Sequence, residues 1–313
     1  MKHIARFDRF LAQSVNLNQS RLDDLNGKVD ALVAYLKSEE VLGPLLARHI
    51  RQGSWAHRTI IRPQKQDEFD ADVLVQLKEK GDWSVSPRIY IDELAQALSR
   101  SGRYRNSVQA KRRCVRVQYA GQCHVDLVPY FVREPSIYSW AIGSMKTQKL
   151  LVNRETNQFE PTDPEGLTRW IRNQDGRTGG TLRKCIRLYK YIRDHDDRFS
   201  IPSIVLTTLL GNGVRWMDLQ TFGPGYPDVP TALRILTGQL DDYLDPRPSL
   251  PVIDDPSGSG ATFEHRWSQR SYAHFRAEVH ALRTEIDRAV KVKERDSSLK
   301  LWGQIFGPAF ESA

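Results

Sequence analysis

Residues 68–77, EFDADVLVQL, constrain the fold more than any other part of this chain. Phe69, Ala71, Val73 and Val75 alternate with Asp70, Asp72, Leu74 and Gln76, the period of two that a strand with one buried face requires. Asp70 and Asp72 then leave the same face, about 7 Å apart along the strand. Carboxylates so placed repel each other, and a cation between them would remove the repulsion. An isolated Asp-x-Asp is also found on ordinary solvent-facing strand edges.

Around this strand the pattern changes twice. Residues 20–42 read as a helix, with Leu22, Leu25, Val29, Leu32, Val33 and Leu36 on one face, Ser20 and Asp23 spaced for a capping box, and Gly43-Pro44 ending it. From Ala47 onward short strands and turns take over. Ser86-Pro87 opens a helix through Ser99, and residues 114–120 and 122–130 read as two strands around Gly121. The second half is helical, over 181–195, 202–210, 229–244, 267–292 and 299–306. In the first of these Leu182, Ile186, Tyr189 and Ile192 share a face, with Arg183, Lys184, Arg187 and Lys190 around the rest. Residues 245–262, DPRPSLPVIDDPSGSGAT, read as an extended surface crossing. The expected division is 1–165, an N-terminal helix with an α/β core, and 166–313, a helical lobe whose C-terminal helices pack back on the core.

Composition removes several classes of protein. With 313 residues, 40% hydrophobic and 27% charged, the chain can bury one large core or two ordinary ones and is not disordered. No apolar run approaches the roughly 18 residues of a membrane span, and the best candidate, 201–210, carries Pro202, Ser203, Thr207 and Thr208. MKHIARFDRF has no apolar signal core. Cys114, Cys123 and Cys185 have neither the spacing of a thiolate zinc site nor the even count of a disulfide scaffold. A cytoplasmic protein without membrane attachment is expected. Lys+Arg 46 against Asp+Glu 38 gives a net charge of +8, which suits phosphate-bearing partners but also describes a solvated basic surface.

Three features in the α/β half bear on chemistry. Gly53-Ser54 precedes WAHRT, which can open a helix and so present backbone N–H groups and a hydroxyl to an anion. No GxxxxGK[ST] occurs, so this is not a Walker A loop. Asp70 and Asp72 come second. Asp126, between Val125 and Leu127 in HVDLVPY, comes third. Three carboxylates beside a triphosphate would match two divalent cations, and all-oxygen ligation suits Mg²⁺ or Mn²⁺, not zinc. A two-metal site of this kind activates a hydroxyl on one ion and stabilises a leaving pyrophosphate on the other.

Together, GSWAHRT, EFDADVLV and HVDLVP resemble the nucleotidyltransferase superfamily pattern of Gly-Ser, Asp-x-Asp and a third Asp. RKCIRLYKYIRDH, FSIPSIVLTTLLG and LWGQIFGPAF narrow the resemblance to the bacterial cGAS/DncV-like nucleotidyltransferases (CD-NTases), with a SMODS-type domain, of CBASS anti-phage systems. It covers nearly the whole chain. Asp163-Pro164-Glu165-Gly166 and the turn at Thr178 to Gly180 also fit, whereas residues 136–148 match nothing in the shared pattern.

The resemblance implies an α/β (α+β) fold, a polymerase-β-like nucleotidyltransferase core with a helical second lobe and a cleft between them. It implies that Asp70, Asp72 and Asp126 hold two Mg²⁺ (or Mn²⁺), with Asp126 nearest the attacking hydroxyl. Gly53 and Ser54 would hold the donor triphosphate, Lys190 would reach phosphates with Ser203 beside it, and Lys184 is a further candidate of that kind. The implied activity joins nucleoside triphosphates, ATP among them, into a cyclic oligonucleotide second messenger with release of pyrophosphate. Two alternatives remain open: a transferase modifying RNA, protein or a small molecule, and a catalytically silent nucleic-acid or protein-binding module.

Regulation is expected from a protein partner. Duplex DNA is not expected to be required, because the sequence has no Cys/His cluster for a zinc element that grips a duplex. Lys190 on a solvated helix face and Ser203 as a simple cap after Pro202 are the ordinary readings of those two residues. His124 reads as a hydrogen-bonded histidine and His195 as complementing a helix end. Arg103, Arg105, Lys111, Arg112 and Arg113 form a basic run that suits nucleic acid or a solvated edge equally.

Overall fold

The computed structural model describes residues 1–64, 68–120, 123–135, 147–215 and 225–313. The alternating stretch is strand β2 (Phe69–Leu77) of a seven-stranded sheet that also contains β1 (Leu46–Gln52), β3 (Val108–Ala110), β4 (Val115–Tyr119), β5 (Cys123–Arg133), β6 (Gln148–Asn153) and β7 (Gln158–Pro161). The strand order is β1-β2-β5-β4-β3, with β6 pairing β5 and β7. β2 and β5 run parallel and in register, placing Asp72 opposite Asp126 and Asp70 opposite His124. The remaining pairs are antiparallel.

The period of two gives this sheet two different faces. Ala71, Val73, Val75, Leu127 and Phe131 belong to a core closed by α2 (Gln19–Ser38) and α5 (Arg88–Arg100). On the other face Asp70, Asp72 and Asp126 are followed along the strands by Leu74, Val128 and Tyr130, a small buried apolar cluster. Leu74 therefore sits on the polar side of the alternation and is still buried.

The second lobe contains α6 (Pro164–Arg177), α7 (Thr181–Asp196), α8 (Ser203–Asn212), α9 (Val229–Leu244), α10 (Gln269–Lys291), α11 (Arg295–Phe306) and α12 (Pro308–Ser312). The one-turn helices α3 (Gly53–Ala56) and α4 (Gly81–Ser84) belong to the α/β half. The first helix, α1 (Ile4–Phe10), packs with the helical lobe. Phe7 meets Trp302 and Phe310 edge-on at 4.9 Å each, and Phe10 meets Tyr191 at 5.0 Å. The C-terminal helices, expected against the α/β core, are thus drawn into the helical lobe by this aromatic cluster.

Several boundaries differ from expectation, and capping chemistry explains them. α2 begins at Asn18, whose side chain accepts the Arg21 N–H at 2.9 Å, so Ser20 is not the cap. The helix ends at Ser38, before Gly43-Pro44, because the Glu39 carboxylate takes up the N–H groups of Val41 and Leu42. The division at 165/166 falls inside the first turn of α6, which Asp163 caps by accepting the Gly166 N–H at 2.9 Å. A Cβ on Gly166 would collide with that carboxylate, which accounts for both ends of the Asp-Pro-Glu-Gly motif. The turn expected at Gly121 and nearly all of segment 136–148 lie outside the described residues. Among the described residues no helix is long and apolar enough to cross a membrane.

Candidate active site

β1 pairs with β2 so that Gln52 lies opposite Asp72, which brings the next residue, Gly53, beside the acidic end of β2. Gly53 has φ +62°, and a Cβ there would collide with Asp72 Oδ2. Both requirements select glycine. The helix that follows is only the single turn α3, too short for a dipole of any size.

The positive charge at this turn comes from the other lobe. Lys190 Nζ donates to Ser54 Oγ at 2.7 Å and to the Thr59 carbonyl at 3.0 Å. Lys190 is 3% exposed, so the solvated-face reading is overturned. Burial, then the neighbouring charge of Arg193, pulls its ammonium down to about 7, against the pull of Asp70 and Asp194.

Asp72 is the carboxyl under most strain. Its place deep in the cleft, then Asp70 and Asp126, push it up to about 7. Asp126 is 7% exposed and gives both oxygens to Arg116, at 2.8 Å each. Among the described residues no three carboxylate, imidazole or thiol groups stand as a preformed metal cluster. The donor set nevertheless fits a hard divalent cation: three carboxylates on one sheet face supply only oxygen, and a cation there would relieve the burial and repulsion that disfavour the charged form of Asp72.

Two cavities meet at these residues. The first, about 430 Å³, is lined by Gly53, Ser54, Asp70, Asp72 and Ser203 together with Arg266. The second, about 510 Å³, is lined by Ser54, Asp70, His124, Lys190, Arg193 and Ser203. Ser203 begins α8 and accepts a hydrogen bond from Arg193 at 3.1 Å, so it is part of the wall between both.

Lys184 is not brought to the site. It lies six residues before Lys190, about 240° around the helix, and pairs with Asp8 at 3.2 Å on the exposed side of α7. His195 stacks on Tyr191 at 5.1 Å, away from both cavities. His124 stands 3.8 Å from the Glu68 carboxylate. Of the basic run, Arg113 lines the first cavity, Arg112 pairs with Glu155 at 3.4 Å, and Arg103 lies over Tyr104.

Three residues of the site have no counterpart in the sequence reading. Arg116 was legible in principle: centring the hairpin on Gly121 sets 116 opposite 126, the observed register. His57, inside GSWAHRT, is 4% exposed, lines the first cavity, and its Nε2 has no hydrogen-bond partner among the described residues. Burial, then Lys190 and Arg183, hold it down at about 3, hence neutral. Arg266 arrives on a short 3-10 turn, Glu264–Arg266, at the end of the crossing 245–262. That crossing is not bare surface, because Ile253 is buried and Asp255 lines the cavity.

Residues 1–175 match the Second Messenger Oligonucleotide or Dinucleotide Synthetase (SMODS) domain. The chain belongs to the SMODS family. A c-di-GMP synthase from Roseivirga ehrenbergii is 30% identical over 327 aligned positions, covering 95% of this chain and 82% of that one. Among solved structures, this SMODS protein superposes on the Vibrio cholerae cyclic AMP-GMP synthase DncV with a TM-score of 0.75 at 14% identity, covering 98% and 96% of the two chains. It matches the Bradyrhizobium diazoefficiens CD-NTase CdnG, solved with GTP, with a TM-score of 0.72 at 17% identity and coverages of 98% and 96%. CdnC of E. coli MS115-1, solved in a complex named CdnC:HORMA-deltaN, gives 0.70 at 19%, with 98% of each chain covered. The α/β sheet with its helical lobe is the CD-NTase fold.

Proposed function

We propose that this SMODS protein is a Mg²⁺-dependent synthase that joins nucleoside triphosphates into a cyclic oligonucleotide for anti-phage signalling. The observation that carries the reading is one juxtaposition: Asp70 and Asp72 on β2, in register with Asp126 on β5, beside a Gly53-Ser54 turn to which Lys190 is hydrogen-bonded. Asp70, Asp72 and Asp126 would hold the Mg²⁺ ions, with Mn²⁺ as a substitute, and Asp126 would release Arg116 to do so. Bound there, the ions would supply Lewis acidity for hydroxyl attack and charge for the leaving pyrophosphate.

The chain's own residues do the positioning. Ser54, the Gly53 backbone and Lys190 hold the donor triphosphate so that its α-phosphate faces the carboxylates, and Ser203 braces Arg193 behind them. The acceptor hydroxyl forms the new P–O bond as pyrophosphate departs, and a second such step closes the ring. A cleft between two lobes keeps the linear intermediate at high local concentration, which favours closure over extension. The c-di-GMP synthase relative supports GTP as a substrate alongside ATP, and the CdnC complex supports a protein partner in regulation.

The test is incubation with four α-labelled triphosphates and Mg²⁺, then mass analysis. A phosphatase-resistant oligonucleotide with accumulating pyrophosphate is expected. A ladder with phosphatase-sensitive triphosphate ends, or label only on added RNA or protein, would exclude cyclisation.

A further inference from the structure

The first cavity has a second basic wall that the donor-triphosphate site does not use. In the strand order β1-β2-β5-β4 the carboxylates stand on the two middle strands, between Gly53-Ser54 at the end of β1 and Arg113 just before β4. Three strand spacings, about 14 Å across the sheet, separate those flanks, and β4 begins further along β5 than the level of Gly53. Arg266 reaches the cavity from the crossing segment and shares this side with Arg113. Burial, then Arg113, lowers the pKa of Arg266, while Asp72 and Glu160 raise it. His265 is lowered in turn by burial, Arg266 and Arg113.

The two arginines differ in their partners. Arg113 is held by Glu160 at 2.6 Å. The Arg266 guanidinium makes no hydrogen bond or ion pair with any described residue and has only the Phe263 ring beneath it, at 6.0 Å. Asp72 and Glu160 act on it through space alone, so its hydrogen-bonding fork is open in a concave site, and that planar fork is suited to phosphate oxygens.

The joining reaction brings in two triphosphates, and only one can sit at Ser54 and Lys190. The other, on the nucleotide whose hydroxyl attacks, must lie clear of three carboxylates. We propose that Arg266, with Arg113 beside it, holds the 5′-triphosphate of the acceptor nucleotide during the first joining step; this rests on the synthase reading above. In the second step that triphosphate moves to Ser54 and Lys190, and Arg266 is vacated.

Two measurements on the full chain test this. Equilibrium binding of α,β-methylene-GTP, which cannot donate, should reach two equivalents per chain in the wild type and one in Arg266→Ala, with Arg266→Lys between. A 2′,3′-dideoxy triphosphate, which can only donate, is then offered either α,β-methylene-GTP or guanosine as acceptor. The wild type should favour the triphosphorylated acceptor in kcat/KM by about tenfold or more, the worth of a charge-assisted hydrogen bond, and Arg266→Ala should lose that preference. Unchanged stoichiometry together with an unchanged preference in Arg266→Ala overturns the assignment. Two equivalents falling to one, with no joining of any acceptor by the wild type, supports the site and sinks the synthase reading instead.

Discussion

Lys190 of α7 and Ser54 of α3 are joined by a 2.7 Å hydrogen bond that runs from one lobe to the other. The lysine is buried, and its ammonium sits near its titration point at neutral pH, about 7. A triphosphate placed at Ser54 would add opposite charge to that of Asp70 and Asp194.

Nucleotide binding should therefore take up a proton. The charged lysine is the binding form, so affinity should fall as pH rises above about 7, by up to about tenfold per unit until the pKa of the complex is reached. Calorimetry of α,β-methylene-GTP binding in buffers of different ionisation enthalpy measures the uptake. Lys190→Met should bind more weakly and lack this component, leaving only the nucleotide's own titration. Equal uptake in both proteins would remove Lys190 from the phosphate site.

The carboxylates predict opposite effects on stability and turnover. Asp72→Asn removes a charge that Asp70 and Asp126 repel, so the metal-free protein should melt no lower than wild type. Activity should drop by several orders of magnitude, because a ligand charge is lost. Mg²⁺ should raise the melting temperature of the wild type and leave that of Asp72→Asn almost unmoved. Equal Mg²⁺ stabilisation of both would count against the assignment.

Arg116 is expected to matter most when metal is absent. Its guanidinium neutralises Asp126 through two 2.8 Å hydrogen bonds, and Arg116→Ala would leave a mostly buried carboxylate without a partner. The cost should be about 2 kcal/mol in denaturant titrations without Mg²⁺. With Mg²⁺ the cation takes over the neutralisation, and the difference should shrink. A cost independent of Mg²⁺ would mean that the pair serves packing alone.

The carboxylate pair and the Gly-Ser turn were legible because each depends on local order, a period of two or a residue that must adopt positive φ, whereas Asp126 stood out only through its order with those two. It was silent wherever a contact crosses between lobes, and there only the family resemblance singled out Lys190. A lysine at helical spacing looks the same whether water or Ser54 receives it, so Lys190 and Lys184 read alike, yet six residues of helix put one in the site and the other against Asp8. Arg266 was hidden for a related reason. A Pro/Gly/Ser-rich segment has no period from which its facing can be read, and only the folded path delivers that arginine to the cavity wall.

His57 makes the acid side of the stability curve a local test. In the folded chain it is held down at about 3, whereas an unfolded histidine titrates near 6.5. Between those two values the unfolded state carries a proton that the folded state does not, so acid favours unfolding there, and the contribution is absent above about 6.5. At pH 5 the proton-linked loss from this one group should be about 2 kcal/mol relative to pH 7. His57→Gln keeps a neutral hydrogen-bonding side chain and removes the titration. Urea denaturation of both proteins at pH 7 and pH 5 should therefore show the variant gaining on the wild type as pH falls. The remaining acidic and histidine groups are common to both proteins and cancel in the comparison. A difference between the two proteins that is the same at both pH values would mean that His57 is protonated in the fold, and that the neutral imidazole facing the cavity is wrongly assigned.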